Sequence, residues 1–210
     1  MKYKVMIVED QTMPRELFEL RVQASERFEL ALSIDNAALA DVYCLRFPVD
    51  LILMDVITRD GENGLDAAAR IKRAFPQIKI IIVTSMPECS YLKRAKEIGV
   101  ESLWYKEEQR ESLLDVMERT MNGESVYPGA SPELTLGMAS SYQFTERELD
   151  ILREITSGDT NQEIDDRLNM SVATVKTHIL NMLEKTGFRN RTELAVRARE
   201  SGLVILNRRN

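Results

Sequence analysis

The chain reads as an α/β protein, a doubly wound five-stranded parallel sheet, followed by a small all-α domain. Three observations predict this. Strand-length apolar runs alternate five times with helix-length segments in the first 121 residues. Runs such as Ile80-Ile81-Ile82-Val83 are continuously aliphatic, the pattern of strands covered on both faces. After Gln143 every periodicity is helical, with a capping signal at the helix starts. A length of 210 residues suits two small domains, each with a modest core.

Strands are expected at Tyr3–Val8, Phe28–Ile34, Val49–Met54, Ile78–Val83 and Ser102–Tyr105, where apolar residues run together. Helices are expected between them at Glu16–Ala24, Asn36–Arg46, Leu65–Phe75, Cys89–Ile98 and Glu108–Met121, where apolar residues recur at threes and fours. From 122 to 143 the chain is rich in Gly, Pro and Ser and reads as a linker, with Pro132-Glu133-Leu134 placed to begin one short helix. Beyond it, Thr145 with Glu148 and Thr160 with Glu163 have capping-box spacing, and Phe144 with Leu149 that of a hydrophobic staple. Ser171 caps a third helix running to Lys185, and a fourth spans Arg191–Glu200 before Gly202. The expected organisation is a domain over 1–121, a linker over 122–143 and a helical domain over 144–210.

The net charge of −6 hides an asymmetry. Residues 1–143 hold 17 basic and 23 acidic residues, and the remainder 11 of each. Arg167 to Thr192 contains Arg167, Lys176, Lys185, Arg189 and Arg191 against the single acid Glu184, a local patch on which a polyanion can dock despite an acidic pI. No apolar stretch approaches the roughly 18 to 20 residues that span a bilayer, and Met-Lys-Tyr-Lys runs straight into a strand pattern, so a soluble cytoplasmic protein without a membrane partner is expected. Cys44 and Cys89 lack metal or disulfide spacing and are expected to pack.

Four strand runs end in polar residues: Glu9-Asp10, Asp55, Thr84 and Lys106. Ligands of open parallel sheets bind outside the carboxyl ends of the strands, so these residues are expected to converge. Singly, an aspartate there caps a helix as readily as it binds anything, and a lysine is usually a surface charge. Jointly, three carboxylates, a hydroxyl and an ammonium suit a divalent cation with a phosphoryl group.

Val8-Glu9-Asp10, Leu53-Met54-Asp55, Val83-Thr84-Ser85 and Lys106 resemble the motifs of the receiver domain of bacterial two-component response regulators, a flavodoxin-like fold, over about residues 1–121. The resemblance implies that Asp55 accepts a phosphoryl group from the phosphohistidine of a sensor histidine kinase. Mg²⁺ would be held by Glu9, Asp10, Asp55 and the backbone carbonyl of Ile57, with Lys106 supplying charge. Thr84 would bond the phosphoryl group and bias the surface near Cys89–Ile98. Such a domain is a phosphoacceptor with at most slow autodephosphorylation, and not an enzyme. Two departures stand out: the loop Ile57-Thr58-Arg59-Asp60-Gly61 lacks the usual proline and reaches Gly64 nine positions after Asp55, and Leu103 occupies the usual aromatic position, followed by Trp104 and Tyr105.

In Ser171–Lys185, Val172, Val175, Ile179, Met182 and Leu183 share one helical face, while Ala173, Thr177, Leu180 and Glu184 centre the other beside Thr174, Lys176 and Asn181. Alone this is an ordinary amphipathic helix. After a short capped helix and a tight turn at Asn169-Met170, it has the order of a helix-turn-helix. Phe144-Thr145-Glu146-Arg147-Glu148, Gly158, Asn161-Gln162-Glu163-Ile164, Ser171, Thr174-Val175-Lys176-Thr177-His178, Lys185 and Asn190-Arg191-Thr192 resemble the LuxR-type helix-turn-helix of NarL/FixJ response regulators, over about residues 143–200. By that resemblance Lys176, Thr177 and Leu180 face double-stranded DNA, with Ser171, Thr174, Asn181 and Lys185 as further contacts. Leu180, where Ser or Lys is more usual, would meet a thymine methyl. Leu194, Ala195 and Ala198 would pair a homodimer whose half-sites lie about 10 bp apart. His178 has no metal or catalytic partners and is expected to pack or touch a phosphate, and Asp165 replaces a usually small residue. Two alternatives compete: a DNA-binding regulator with a phosphorylation-independent receiver, and an aspartate-nucleophile phosphohydrolase. Ile57 speaks against the second, because such enzymes carry an acid two positions after the nucleophile.

Overall fold

The computed structural model describes residues 2–59, 63–85, 89–106, 111–129 and 133–204. The chain divides into two compact units, the first ending at Gly129. The first contains β1 (Tyr3–Val8), α1 (Thr12–Gln23), β2 (Phe28–Ile34), α2 (Ala40–Arg46), β3 (Leu51–Asp55), α3 (Gly64–Ala74), β4 (Lys79–Thr84), α4 (Cys89–Ile98), β5 (Ser102–Tyr105) and α5 (Leu113–Met121). All pairings are parallel, in the order β2-β1-β3-β4-β5. The order reverses between β1 and β3, which makes their carboxyl ends the switch-point crevice. Val8 pairs with Met54, Asp55 with Val83 and Thr84 with Tyr105, so the register brings Glu9, Asp55, Thr84 and Lys106 to one edge.

Both faces of the sheet are dry. Val5, Ile7, Leu51, Leu53, Ile81 and Val83 pack with Phe18 and Val22 of α1 and Val116 and Met117 of α5. The alternate residues Met6, Val8, Ile52, Met54, Ile80 and Ile82 are equally buried. Several boundaries differ from the sequence reading for local reasons. α1 starts a turn early because Pro14 falls in its first turn, where the missing N–H costs nothing. β3 starts at Leu51, since the Asp50 carboxylate accepts from Lys4 N–H and the Asp50 carbonyl from Lys79 N–H. A 3-10 turn over Ala37–Leu39, capped by Asn36, precedes α2. α5 begins after its Ser112 cap, and residues 107–110 lie outside the described residues.

The stretch over 122–143 carries more structure than its linker-like composition implies, part of it in each unit. Val126 lies on the outer edge of β5, its carbonyl accepting from Leu103 N–H at 3.0 Å and its own N–H donating to Ser102 Oγ at 3.1 Å. The Tyr127 hydroxyl donates to the Val100 carbonyl. Farther on, β6 (Thr135–Leu136) and β7 (Ala139–Ser140) form an antiparallel hairpin that buries Leu136 and Ala139 in the core of the second unit. The short helix expected from Pro132 is absent: Pro132 lies outside the described residues, while Glu133 and Leu134 are not helical and Leu134 N–H donates to Ser141 Oγ.

The second unit packs α6 (Glu146–Thr156), α7 (Asn161–Leu168), α8 (Val172–Thr186) and α9 (Arg191–Glu200) around one core. Reciprocal bonds close both capping boxes, Thr145 with Glu148 and Thr160 with Glu163. α7 ends at Asn169 with φ 51°, a left-handed position that asparagine tolerates better than most residues. The hairpin finishes the far end of α8, because Met138 N–H donates to the Thr186 carbonyl at 3.0 Å. At its tip Gly137 has φ 62°, and a Cβ there would stand 2.2 Å from that same carbonyl oxygen. Gly137→Ala should therefore destabilise the helical unit by about 1–3 kcal/mol in urea titrations. Gly129→Ala, where a Cβ meets no atom of the described residues within 4 Å, should change stability by less than about 0.5 kcal/mol.

Candidate functional site

Three strand-end residues of the first unit form one buried charge cluster. Lys106 Nζ lies 2.6 Å from Glu9 Oε2 and 2.8 Å from Asp55 Oδ2. Glu9 and Asp55 are only 1% and 6% exposed. Their other oxygens are also engaged, Glu9 Oε1 by Gln11 N–H at 3.1 Å and Asp55 Oδ1 by Val56 N–H at 2.7 Å. Lys106 N–H donates to the Thr84 carbonyl, which sets the fully buried Thr84 beside the lysine. Asp10 is half-buried, and ligand oxygens of Glu9, Asp10 and Asp55 all lie within 4.8 Å of one another.

Burial pushes the Asp55 carboxyl up to about 7; Lys106 works against this, and the charge of Glu9 adds to it. Burial alone would pull the Lys106 ammonium down, but Asp55 and Glu9 together hold it above its ordinary value. Among the described residues, the ammonium of Lys106 thus faces the carboxylates of Glu9 and Asp55, with Asp10 beside them. Oxygen donors at this spacing suit a hard divalent ion such as Mg²⁺, which keeps waters and takes only a few carboxylates.

Gly64 is dictated by this site. A Cβ on it would fall 1.8 Å from the Asp55 carbonyl oxygen, so the N-terminus of α3 can approach the aspartate's backbone only with glycine there. The longer loop preserves that approach by closing on an antiparallel bridge between Ile57 and Asn63. Gly64 N–H donates to the Val56 carbonyl at 2.8 Å, a bond that does not occupy the carbonyl of Ile57. Thr58 Oγ1 accepts from Ala37 N–H and Arg59 pairs with Asp35 at 2.7 Å, anchoring the loop, while Asp60 and Gly61 lie outside the described residues. Leu103, at the usual aromatic position, is buried and held by Val126. Trp104 packs edge-on against Phe18 and donates its indole N–H to the Glu111 carbonyl. Burial, aided by Asp41, pushes the Cys44 thiol up to about 11, consistent with packing. The side chain of Cys89 lies outside the described residues.

In the second unit α8 buries Val175, Ile179 and Met182, with Val172 and Leu183 half-buried. Ser171, Thr174, Lys176, Thr177, Leu180 and Asn181 are exposed together, and His178 is half-buried. Lys185 does not join them. Its ammonium contacts both oxygens of Glu148 at 2.8 and 2.7 Å and the Gln143 carbonyl at 2.9 Å, tying α8 to the start of α6. Burial would raise the Glu148 carboxyl, yet bonds from Lys185 and Thr145 hold it below its usual range.

The expected pairing residues also need correction. Leu194 and Ala198 are fully buried and Ala195 is half-buried in the unit's own core, because they are the small and apolar residues that let α9 pack on α6. Val196, 49% exposed, is the apolar residue α9 turns outward. Sequence reading missed the internal use of the basic patch. Arg167 pairs with Glu154 and Asp159, and Arg191 bonds Asn161 and the Asp159 carbonyl. Asp165 accepts a bond from Gln162 on its own helix, so the substitution is locally satisfied.

The raised carboxyl of Asp55 has a stability signature in cation-free solution. Between its ordinary 3.8 and about 7, the folded chain holds a proton that the unfolded chain has lost, so stability falls as pH rises through that window. In urea titrations with EDTA the fall should be on the order of a few kcal/mol. Asp55→Asn should remove most of it, and Mg²⁺ at pH 8 should restore stability to the wild type but not to the variant.

Comparison with known proteins agrees with this geometry. Residues 5–118 match the response regulator receiver domain, and residues 142–198 match the bacterial regulatory proteins of the luxR family. The chain is 32% identical over 212 residues to the response regulator protein VraR of Staphylococcus epidermidis, and likewise to VraR of Staphylococcus aureus, covering 97% of this chain and 100% of each relative. Among solved structures it shares its fold with RcsB of Salmonella enterica serovar Typhimurium bound to promoter rprA in the presence of the phosphomimetic BeF3- (TM-score 0.60, 17% identity, 94% of this chain and 98% of that one). It shares it also with a structure of two RcsB dimers bound to two parallel DNAs (TM-score 0.61, 17% identity, 94% and 98%). The chain belongs to the two-component response regulators that join a receiver domain to a LuxR-family helix-turn-helix.

Proposed function

We propose that Asp55 takes a phosphoryl group from the phosphohistidine of a sensor histidine kinase, and that this promotes a homodimer that binds duplex DNA sequence-specifically to regulate transcription. The single observation that carries the reading is the ammonium of Lys106 held between Asp55 and Glu9. Asp55 Oδ attacks phosphorus as the P–N bond to the histidine breaks, and the imidazole leaves with its electron pair. Mg²⁺, held by Glu9, Asp10, Asp55 and the Ile57 carbonyl, would neutralise charge on the transferring group. Lys106 shifts from carboxylate to phosphoryl oxygen, and the Thr84 hydroxyl donates to another.

Ile57 offers no acid to activate water, which supports a slowly hydrolysed phosphoaspartate. The described residues contain no helix long and apolar enough to cross a membrane, and a DNA target fits action in the cytoplasm. The dimer reading draws on the structure of two RcsB dimers bound to DNA. In this chain it would use exposed groups of α9 such as Val196, not Leu194 or Ala198. Joining two weak readers raises affinity without a new DNA contact.

A small-molecule phosphodonor with Mg²⁺ should add one phosphoryl mass to the wild type and none to Asp55→Ala; equal labelling of the two refutes the assignment. Lys176→Ala should weaken duplex binding about equally across sequences and lower the salt slope by about 1. Unchanged binding would remove α8 as the reader.

A further inference from the structure

The exposed face of α8 is less polar than its sequence suggests. The Thr177 hydroxyl donates to the Ala173 carbonyl one turn back, at 3.0 Å. Its proton is thereby engaged with the helix's own backbone, and its methyl becomes the free feature of the side chain. Ala173, Thr177 and Leu180 recur at four and three positions, share one stripe and are all exposed, Leu180 to 65%. At the entry of the helix Ser171 Oγ and Thr174 Oγ1 bond each other at 2.8 Å, and Ser171 also caps Thr174 N–H. The stripe continues to the exposed Glu184, eleven residues from Ala173 or about 16 Å, where an acid would oppose phosphates. The part of α8 from its start to Leu180 is therefore the part suited to enter a groove.

We propose that Ala173, Thr177 and Leu180 form a methyl-reading stripe that selects half-sites carrying thymines in the major groove. The inference rests on the reading of α8 as the DNA reader and names what it reads. Methyl and isobutyl groups on one line match thymine C5-methyl groups, while Lys176 beside them holds phosphate and is indifferent to sequence. By this account Thr177 specifies through its methyl and not its hydroxyl.

The test uses the full-length chain with phosphodonor and Mg²⁺ to select from a randomised duplex library. Selected sites are then remade with deoxyuridine for thymidine, position by position, which removes only the C5-methyl and leaves the protein unaltered. Each contacted position should lose about fourfold in affinity. Thr177→Val should bind as the wild type does, whereas Thr177→Ser and Leu180→Ala should weaken binding and lose the difference between thymine and uracil. Sites that need Lys176 yet ignore uracil, or a Thr177→Val that fails where Thr177→Ser succeeds, overturn the stripe alone. A library that yields no site, or sites unaffected by Lys176→Ala, overturns the reading of α8 and the stripe with it.

Discussion

One ammonium held between two buried carboxylates organises the first unit. Glu9 and Asp55 sit at the ends of neighbouring strands with almost no access to water, and two such charges side by side are costly unless a cation lies between them. Lys106 supplies it from β5, two strands beyond β3. Gly64, lacking a Cβ, lets the start of α3 close on the backbone of Asp55. The same arrangement is short of positive charge, which favours a divalent ion, and that added charge would be what lets an anionic phosphoryl group sit beside the carboxylates. Lys106 directly follows β5, whose outer edge holds Val126.

The second unit follows a different economy of charge. Its basic residues are numerous, but Arg167, Lys185 and Arg191 bind acids and carbonyls within the unit and fix α7, α8 and α9 around the core. The exposed face of α8 is left with one basic residue, Lys176, beside Ala173, Thr174, Thr177, Leu180 and Asn181. The hairpin of β6 and β7 sets the far end of that helix through the Thr186 carbonyl and Ser171 caps its start, so α8 is fixed at both ends.

Strand positions and the edge that gathers Glu9, Asp10, Asp55, Thr84 and Lys106 were legible, because buried parallel strands are nearly pure aliphatic runs and a parallel sheet sends their ends to one side. Helix starts were legible where a side chain caps the backbone, as at Thr145, Thr160 and Ser171. The hairpin was not: glycine and serine signal turns, and a two-residue strand such as Thr135–Leu136 has no periodicity to detect. Lys185 and Leu194 show the other limit. A charged or apolar residue at a plausible spacing has the same sequence signature whether its partner is another molecule or its own core, and only Glu148 beside Lys185 and α6 beside Leu194 decide between them.

A crystal structure with Mg²⁺ and beryllofluoride tests the central claim most directly. The account predicts a cation on the carboxylates of Glu9, Asp10 and Asp55, beryllofluoride on Asp55, and Lys106 Nζ moved from Asp55 onto fluoride. A pocket that stays empty, with Lys106 still bridging Glu9 and Asp55, would contradict it.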